Sequence, residues 1–281
     1  MLPATVLVGF FVFLPLGDSI AMSFTDFTLR RAGAERSWIG LENYRYFFGG
    51  ERLWQAMRVT FVFVGGVVST LTVTGIIIAV LLNQDLPGRR LMRSVSLLPW
   101  VTPTVISAIL WMWIYQPQYG VLNYLLLRVG LIDSPVAWLA NMRLALPSVM
   151  VTAFWRQFPF MFIVLLAGLQ GIPNELYESA KIDGAGFLRQ FWSITLPMLR
   201  NVLRVVMLMS IIANFRQFPL IWTMTGGGPV RQTTTLAILS YRHSFVRLEL
   251  AEGAAVATVW LVIVLALSLL FMSLFRSREY Q

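Results

Sequence analysis

Cysteine is absent from the chain, histidine occurs once, at His243, and lysine once, at Lys181. The first absence removes disulfides, thiolate nucleophiles and thiolate metal ligands, and a single histidine cannot furnish a His-rich metal site alone. The one lysine is not preceded by G-x-x-x-x-G, so no P-loop cradles a nucleotide phosphate here. If nucleotide energy drives this protein, another subunit must bind the nucleotide. Charge of both signs is scarce, at 12% of residues, and the excess of +9 is scattered between apolar runs rather than gathered into one stripe. That distribution fits loop and headgroup-level arginines and argues against a nucleic-acid surface.

What fills the chain is hydrocarbon. With 57% hydrophobic residues among 281 and a mean hydropathy of +0.71, the sequence falls with polytopic, all-α membrane proteins. A hydrocarbon core about 30 Å thick takes roughly 20 helical residues to cross. Six apolar runs reach that length, near 2–24, 59–82, 95–116, 145–169, 199–222 and 254–275, within a single transmembrane domain covering 1–281. The first lacks a positive n-region and a small-residue cleavage site, so it reads as a retained helix. The fourth and fifth contain Pro147, Pro159, Pro219, Arg156 and Arg216. Lipid leaves proline-freed backbone groups and charges unsatisfied, so these runs are expected to pack on protein or line a wet path.

Six spans put both termini on one side, with the loops 83–94 and 170–198 beside them. A plain count of basic residues fails to orient the chain, but the short loop 83–94 holds Arg89, Arg90 and Arg93, which favours that side, with both termini, as cytoplasmic.

The longer of these loops is a polar island. Asn174 follows Pro173 and is placed to cap a short helix whose first turn carries Glu175 and Glu178 near the positive end of the dipole. Ala180 and Gly184 fall four residues apart on one side, where small residues let another surface approach. Lys181, Asp183 and Arg189 keep the remainder wet, and Pro197 is expected to close the segment as the next span begins. Physics alone leaves two readings open: an interfacial helix joining two spans, or a docking element.

Written out, the island is Glu178-x-Ala180, three residues, Gly184, nine residues, Ile194-x-Leu196-Pro197. It resembles the EAA loop of the permease subunits of binding-protein-dependent ABC importers, departing only at Ser179, where alanine is usual. Ser23-Phe24-Thr25-Asp26-Phe27, Gly40-Leu41-Glu42-Asn43-Tyr44, 167–173 and Thr225-Gly226-Gly227-Gly228-Pro229 are similar to the carbohydrate-uptake branch. Within that branch they resemble the first-permease subunits of maltose and glycerol-3-phosphate systems. The resemblance implies the type I importer fold, with a cytoplasmic coupling helix in the loop 174–197. It also implies a second homologous permease, two cytoplasmic ATPases that bind ATP and Mg, an extracytoplasmic solute-binding protein, and a bacterial or archaeal cytoplasmic membrane. Carried onto this chain, Glu178, Ala180, Asp183, Gly184, Ile194, Leu196 and Pro197 form the ATPase-coupling set, with Glu178 as partner of an ATPase arginine. No cofactor is expected in the chain itself, and no catalytic residue.

At membrane depth, Trp155, Arg156 and Gln157 in the fourth run and Asn214, Arg216 and Gln217 in the fifth are candidates for a sugar path. Amides and guanidinium suit hydroxyls, and tryptophan suits pyranose faces. The alternative is that the two arginines are structural, pairing with helix-end carbonyls or with Asp18. Trp100, Trp111, Trp113 and Tyr115 read as an interfacial aromatic belt. The glycine-rich 225–229 reads as a tight external turn. The resulting expectation is a subunit of an ATP-driven sugar importer, with an anionic solute such as a sugar phosphate as the alternative. A secondary transporter would need intramembrane carboxylates, for which only Asp18 qualifies, and a membrane enzyme would need converging nucleophiles, bases or metal ligands that are missing.

Overall fold

The computed structural model describes residues 7, 9–30, 35–84 and 87–274. Among them the chain is helical, and extended backbone pairs only at the Thr25–Trp38 bridge. In order the helices are α1 (Gly9–Met22), α2 (Glu42–Gly49), α3 (Glu51–Asn83), α4 (Arg89–Ser96), α5 (Leu98–Val101), α6 (Thr104–Ile114), α7 (Val121–Arg128), α8 (Ala145–Gln170), α9 (Asn174–Ile182), α10 (Phe187–Phe215), α11 (Pro219–Thr225), α12 (Leu236–Tyr241) and α13 (Leu250–Leu274).

Four of these, α3, α8, α10 and α13, are long and apolar enough to cross a membrane, and the stretch Leu91–Val101 with Thr104–Ile114 makes a fifth if that bent pair is one span. The apolar run at 2–24 is seen as a 3–4-turn helix from Gly9; its residues 2–6 and 8 lie outside the described residues, as does residue 275 of the last run. The run at 95–116 is not straight but bends by 99°. Proline is the cause: Thr102 (φ −69°, ψ 129°) and Pro103 (φ −55°, ψ 141°) are both extended, as the residue before a proline prefers. Hydropathy is continuous across that point, so the break is invisible to an apolar count.

The run at 199–222 is divided differently. α10 starts at Phe187 and passes straight through Pro197, because a π turn at Phe191–Thr195 rearranges the backbone bonds just ahead of the residue that cannot donate one. Pro197 therefore does not close the segment. The break comes at 216–218, before Pro219, which occupies the first position of α11.

Two compact units emerge, one formed by 1–62 with 215–274 and the other by 63–214. In the first, Phe47, Leu53, Ala56, Leu236, Leu239, Ala255 and Val256 form a buried cluster that Trp260 and Ile263 extend. Its polar groups are paired. Thr60 Oγ1 accepts the Leu236 N–H at 2.9 Å and donates to the Ala56 carbonyl at 2.7 Å. Asn43, buried, donates to the carbonyls of Ser23 and Thr25 at 2.9 and 2.8 Å and so pins the turn after α1 to α2. Asp18 takes Arg36, at 2.6 Å, rather than either arginine of the fourth and fifth runs. That bond, and the attraction behind it, holds the exposed Arg36 guanidinium above its ordinary pKa.

In the second unit α8 and α10 run side by side. A Cβ at Gly168 would stand 2.9 Å from Leu199 Cδ2 and 3.2 Å from both methyls of Val202, so the glycine is what allows this close approach. Towards the other end of α10, Gln157 and Asn214 exchange a reciprocal pair of amide bonds at 3.0 and 2.9 Å. The two helices are thus held at two places along their length.

Replacing Asn43 by alanine leaves two carbonyls without donors, which costs about 1–3 kcal/mol. Denaturant unfolding of the detergent-solubilised protein should show that loss, and an unchanged midpoint would refute the pinning role.

Candidate coupling segment and polar cluster

α9 begins at Asn174, one residue earlier than a cap at that position would allow. Pro173 (φ −59°, ψ 132°) occupies the cap position, its carbonyl accepts the Leu176 N–H at 3.3 Å, and no side chain caps the helix. The proline ring already fixes the φ that a cap residue needs, which leaves Asn174 free to be helical. Glu175 alone lies in the first turn, and Glu178 follows one turn later.

The far end is built with more bonds. Ala185 N–H reaches the Ala180 carbonyl at 2.8 Å and Gly184 N–H reaches Lys181 at 3.0 Å, the paired bonds of a Schellman stop. This stop requires Gly184 at φ +75°. A Cβ added there would meet nothing within 4 Å, so the position is set by backbone conformation and leaves open space beside it.

Two bonds tie the segment to the next span. Tyr177 and Thr195 share a hydroxyl–hydroxyl bond at 3.0 Å, and Gln190 Nε2 donates to the Ala185 carbonyl at 2.6 Å. Beside them lies a cavity of about 340 Å³ walled in part by Asn83, Asn174, Tyr177, Lys181, Gln190 and Thr195. The other flank of α3 is closed by Arg93, whose guanidinium caps the Leu82 carbonyl at 2.7 Å. Tyr177, Thr195 and Gln190 were not among the residues expected to matter. They are 18 and five residues from their partners, and only Gln190 sits within local helical reach.

The outer surface of the segment is unusual for one that faces water. Ile182 is 88% exposed, and Phe187, Leu188 and Trp192 are each at least 60% exposed. Glu178 is exposed and has no ion-pair partner among the described residues. Ala180 and Ile194 are half-buried, Leu196 likewise, and Asp183, Gly184 and Pro197 are exposed. An unpaired carboxylate among exposed apolar side chains has the composition of a protein contact.

The polar candidates divide. Gln157 and Asn214 are brought together, but they satisfy each other, and Asn214, 2% exposed, also donates to the Ser210 carbonyl at 2.9 Å. They clamp α8 to α10. Trp155 meets Trp111 edge-on at 5.7 Å, and Trp111 is tilted against Tyr115. Tyr115 is buried, with its hydroxyl donating to the Ser148 carbonyl at 3.0 Å. The belt reading therefore fails for Trp111 and Tyr115, which point into this unit, while Trp100 and Trp113 are exposed. Buried donors remain here without partners: Trp111 Nε1 and Arg156 Nε. Pro159 has no N–H to give the Trp155 carbonyl one turn back. In the first unit, Arg216 is exposed and Gln217 half-buried, in the break between α10 and α11. The glycine-rich turn there is closed by Thr233 and Thr234, which donate to the Gly228 and Gly227 carbonyls at 2.7 and 2.8 Å.

Comparison with known proteins meets this geometry on both sequence and fold. The sequence pattern of the family described as "Binding-protein-dependent transport system inner membrane component" matches residues 72–278. The chain belongs to that family. It is 36% identical to the trehalose/maltose transport system permease protein MalF of Thermococcus litoralis over 99% of this chain and 93% of that protein. It is 31% identical to the sulfoquinovosyl glycerol transport system permease protein SmoG of Agrobacterium fabrum, over 99% and 89%. With the sn-glycerol-3-phosphate transport system permease protein UgpA of Yersinia pestis it shares 30%, over 100% and 94%. Its fold is that of a bacterial ABC transporter involved in the import of the acidic polysaccharide alginate, with a TM-score of 0.85 at 23% identity over 99% and 94% of the two chains. It is thus a multi-pass inner-membrane component of a binding-protein-dependent transport system, with an importer permease fold.

The Schellman stop gives a direct test. A left-handed conformation costs a residue with a Cβ about 1–2 kcal/mol, so Gly184→Val should speed amide exchange at 184 and 185 about 5–30-fold. Unchanged exchange would show that the stop does not depend on glycine.

Proposed function

We propose that this permease forms half of the translocation path of an ATP-driven importer for a sugar or sugar derivative, and that residues 174–197 couple it to a separate ATPase. The observation that carries the coupling is the exposed, unpaired Glu178 on a helix whose mate, Tyr177, is bonded to Thr195 at the base of α10. A load on α9 is passed to α10 through that bond and the short link 183–186, and α10 is packed on α8 at Gly168. The helix therefore has the construction of a lever. Ile182, Phe187, Leu188 and Trp192 supply apolar area for the docked ATPase, which binds ATP and Mg, and Glu178 supplies the charge for its arginine.

The remaining partners follow from the family: a second homologous permease, a second ATPase and an extracytoplasmic solute-binding protein. One solved relative in fold is a complex with an alginate pentasaccharide-bound periplasmic protein. In this reading the loops 83–94 and 170–198, with both termini, lie on the cytoplasmic side.

For the solute, Trp155 and Trp111 offer aromatic surface, and the unpartnered Arg156 Nε and Trp111 Nε1 ask for acceptors that hydroxyl oxygens supply. Gln157 and Asn214 hold the helices around that place. Relatives named for sulfoquinovosyl glycerol and for sn-glycerol-3-phosphate carry solutes with a sulfonate or a phosphate, so an anionic derivative is the second reading. Secondary transport is disfavoured by Asp18, whose carboxylate is occupied by Arg36.

In cells expressing the complete transporter, Glu178→Lys should cut solute uptake at least tenfold while the permease reaches the membrane in parental amounts. ATP hydrolysis in the purified complex should then no longer respond to loaded binding protein. Parental uptake by this variant would sink the coupling reading.

A further inference from the structure

A second feature, unrelated to the coupling segment, lies in the unit formed by 1–62 and 215–274. Four arginines from three stretches converge on one cavity of about 420 Å³: Arg52 in the first turn of α3, Arg231 in the loop before α12, and Arg242 and Arg247, the first residue of the π turn Arg242–Val246 and the residue that follows it. Thr234 and the buried His243 also line it, and no carboxylate does.

Glu249 and Glu252, the acids next to His243, are already engaged. Glu249 takes Arg30 at 2.9 Å and His243 at 3.3 Å, touching Arg247 only at 4.0 Å, and Glu252 takes His243 Nδ1 at 2.8 Å. Arg52 has the neutral Tyr46 hydroxyl at 3.3 Å. Arg231 and Arg242 have no ion-pair partner among the described residues. Several guanidinium groups facing one space repel one another, and an apolar filling would not relieve that.

The backbone adds an independent sign. Val230 and Arg231 sit at φ +43° and +64°, a region that residues with a Cβ, and β-branched ones above all, avoid. The surrounding bonds hold the turn: Gln232 N–H to the Pro229 carbonyl at 2.8 Å, Thr234 N–H to Arg231 at 3.1 Å, and Leu236 N–H to Thr60. Strain maintained by neighbours is characteristic of sites where a side chain must be aimed, and here the strained residue is one of the four arginines.

We infer that Arg52, Arg231, Arg242 and Arg247 form a binding site for a phosphate- or sulfate-type oxyanion. Guanidinium forks match the spacing of such oxygens, form charge-assisted bonds to them and are weakly enough hydrated to do so in a half-enclosed cavity. The volume admits one such group with several waters, each occupying about 30 Å³. The cavity lies beside the first turn of α3 and just ahead of α13, at the ends of two spanning helices, so the oxyanion comes either from solution or from an anionic lipid headgroup.

The test uses the assembled transporter in phosphatidylcholine nanodiscs, with inorganic sulfate and phosphate titrated against chloride at constant ionic strength. Heat stability should rise with sulfate or phosphate in a saturable way, and Arg231→Gln or Arg242→Gln should weaken that binding at least tenfold. In nanodiscs that also contain phosphatidylglycerol, a lipid source predicts that sulfate affinity falls at least tenfold and that native mass spectrometry finds fewer retained anionic lipids on the variants. A solution source predicts the same sulfate affinity in both membranes. Because the parent complex is itself compared with chloride, failure of a variant to assemble does not blur the answer. The proposal is overturned if sulfate and phosphate act as chloride does on the parent and the parent retains no more anionic lipid than the variants. Solute uptake plays no part in either arm, so this outcome stands apart from the coupling reading.

Discussion

The close approach of α8 and α10 at Gly168 is the constraint on which the second unit depends. Leu199 and Val202 occupy the space a side chain would need there, and the Gln157–Asn214 amide pair repeats the contact further along the same two helices. With both helices held together, the segment between them is a short cap whose ends cannot separate freely. Within that confinement α9 starts at Pro173, stops at Gly184 and is bonded from Tyr177 to Thr195.

Membrane depth explains why the interior polar groups are arranged as they are. In hydrocarbon an unsatisfied polar group has no water to turn to, so amides pair with each other and arginine with carboxylate or carbonyl. Gln157 with Asn214 obeys this rule, and Asn214 also reaches the Ser210 carbonyl. Trp111 Nε1, Arg156 Nε and Ser107 Oγ do not, and the first two are the groups for which a solute acceptor is proposed. The arginine cavity beside α12 is a second exception, of charge rather than hydrogen bonding.

Much of the architecture was legible in the sequence, because apolar length and the polar island between two spans are one-dimensional signals. Gly184 reads in the sequence as a small residue open to a partner, and its part in the helix stop shows only in its left-handed backbone. Features that depend on proline geometry were not: the 99° bend at Thr102–Pro103 and the passage of α10 through Pro197 leave hydropathy unchanged. Contacts between distant residues were also hidden. Trp111 and Tyr115 looked like headgroup aromatics until Trp155 and Ser148 were found against them, and Gln157 and Asn214 looked available to a solute until they were found bonded to each other.

The central claim is that α9 grips an ATPase and moves with it. The chain's lack of cysteine makes the most direct measurement simple, because Ile182→Cys would place a single thiol at a position of the helix that is 88% exposed. A short thiol-to-amine cross-linker applied to the complete transporter should join this chain to an ATPase subunit, with a yield that changes when nucleotide is bound. If cross-links from position 182 reach only lipid or the partner permease, in a complex that contains the ATPase, the account is contradicted.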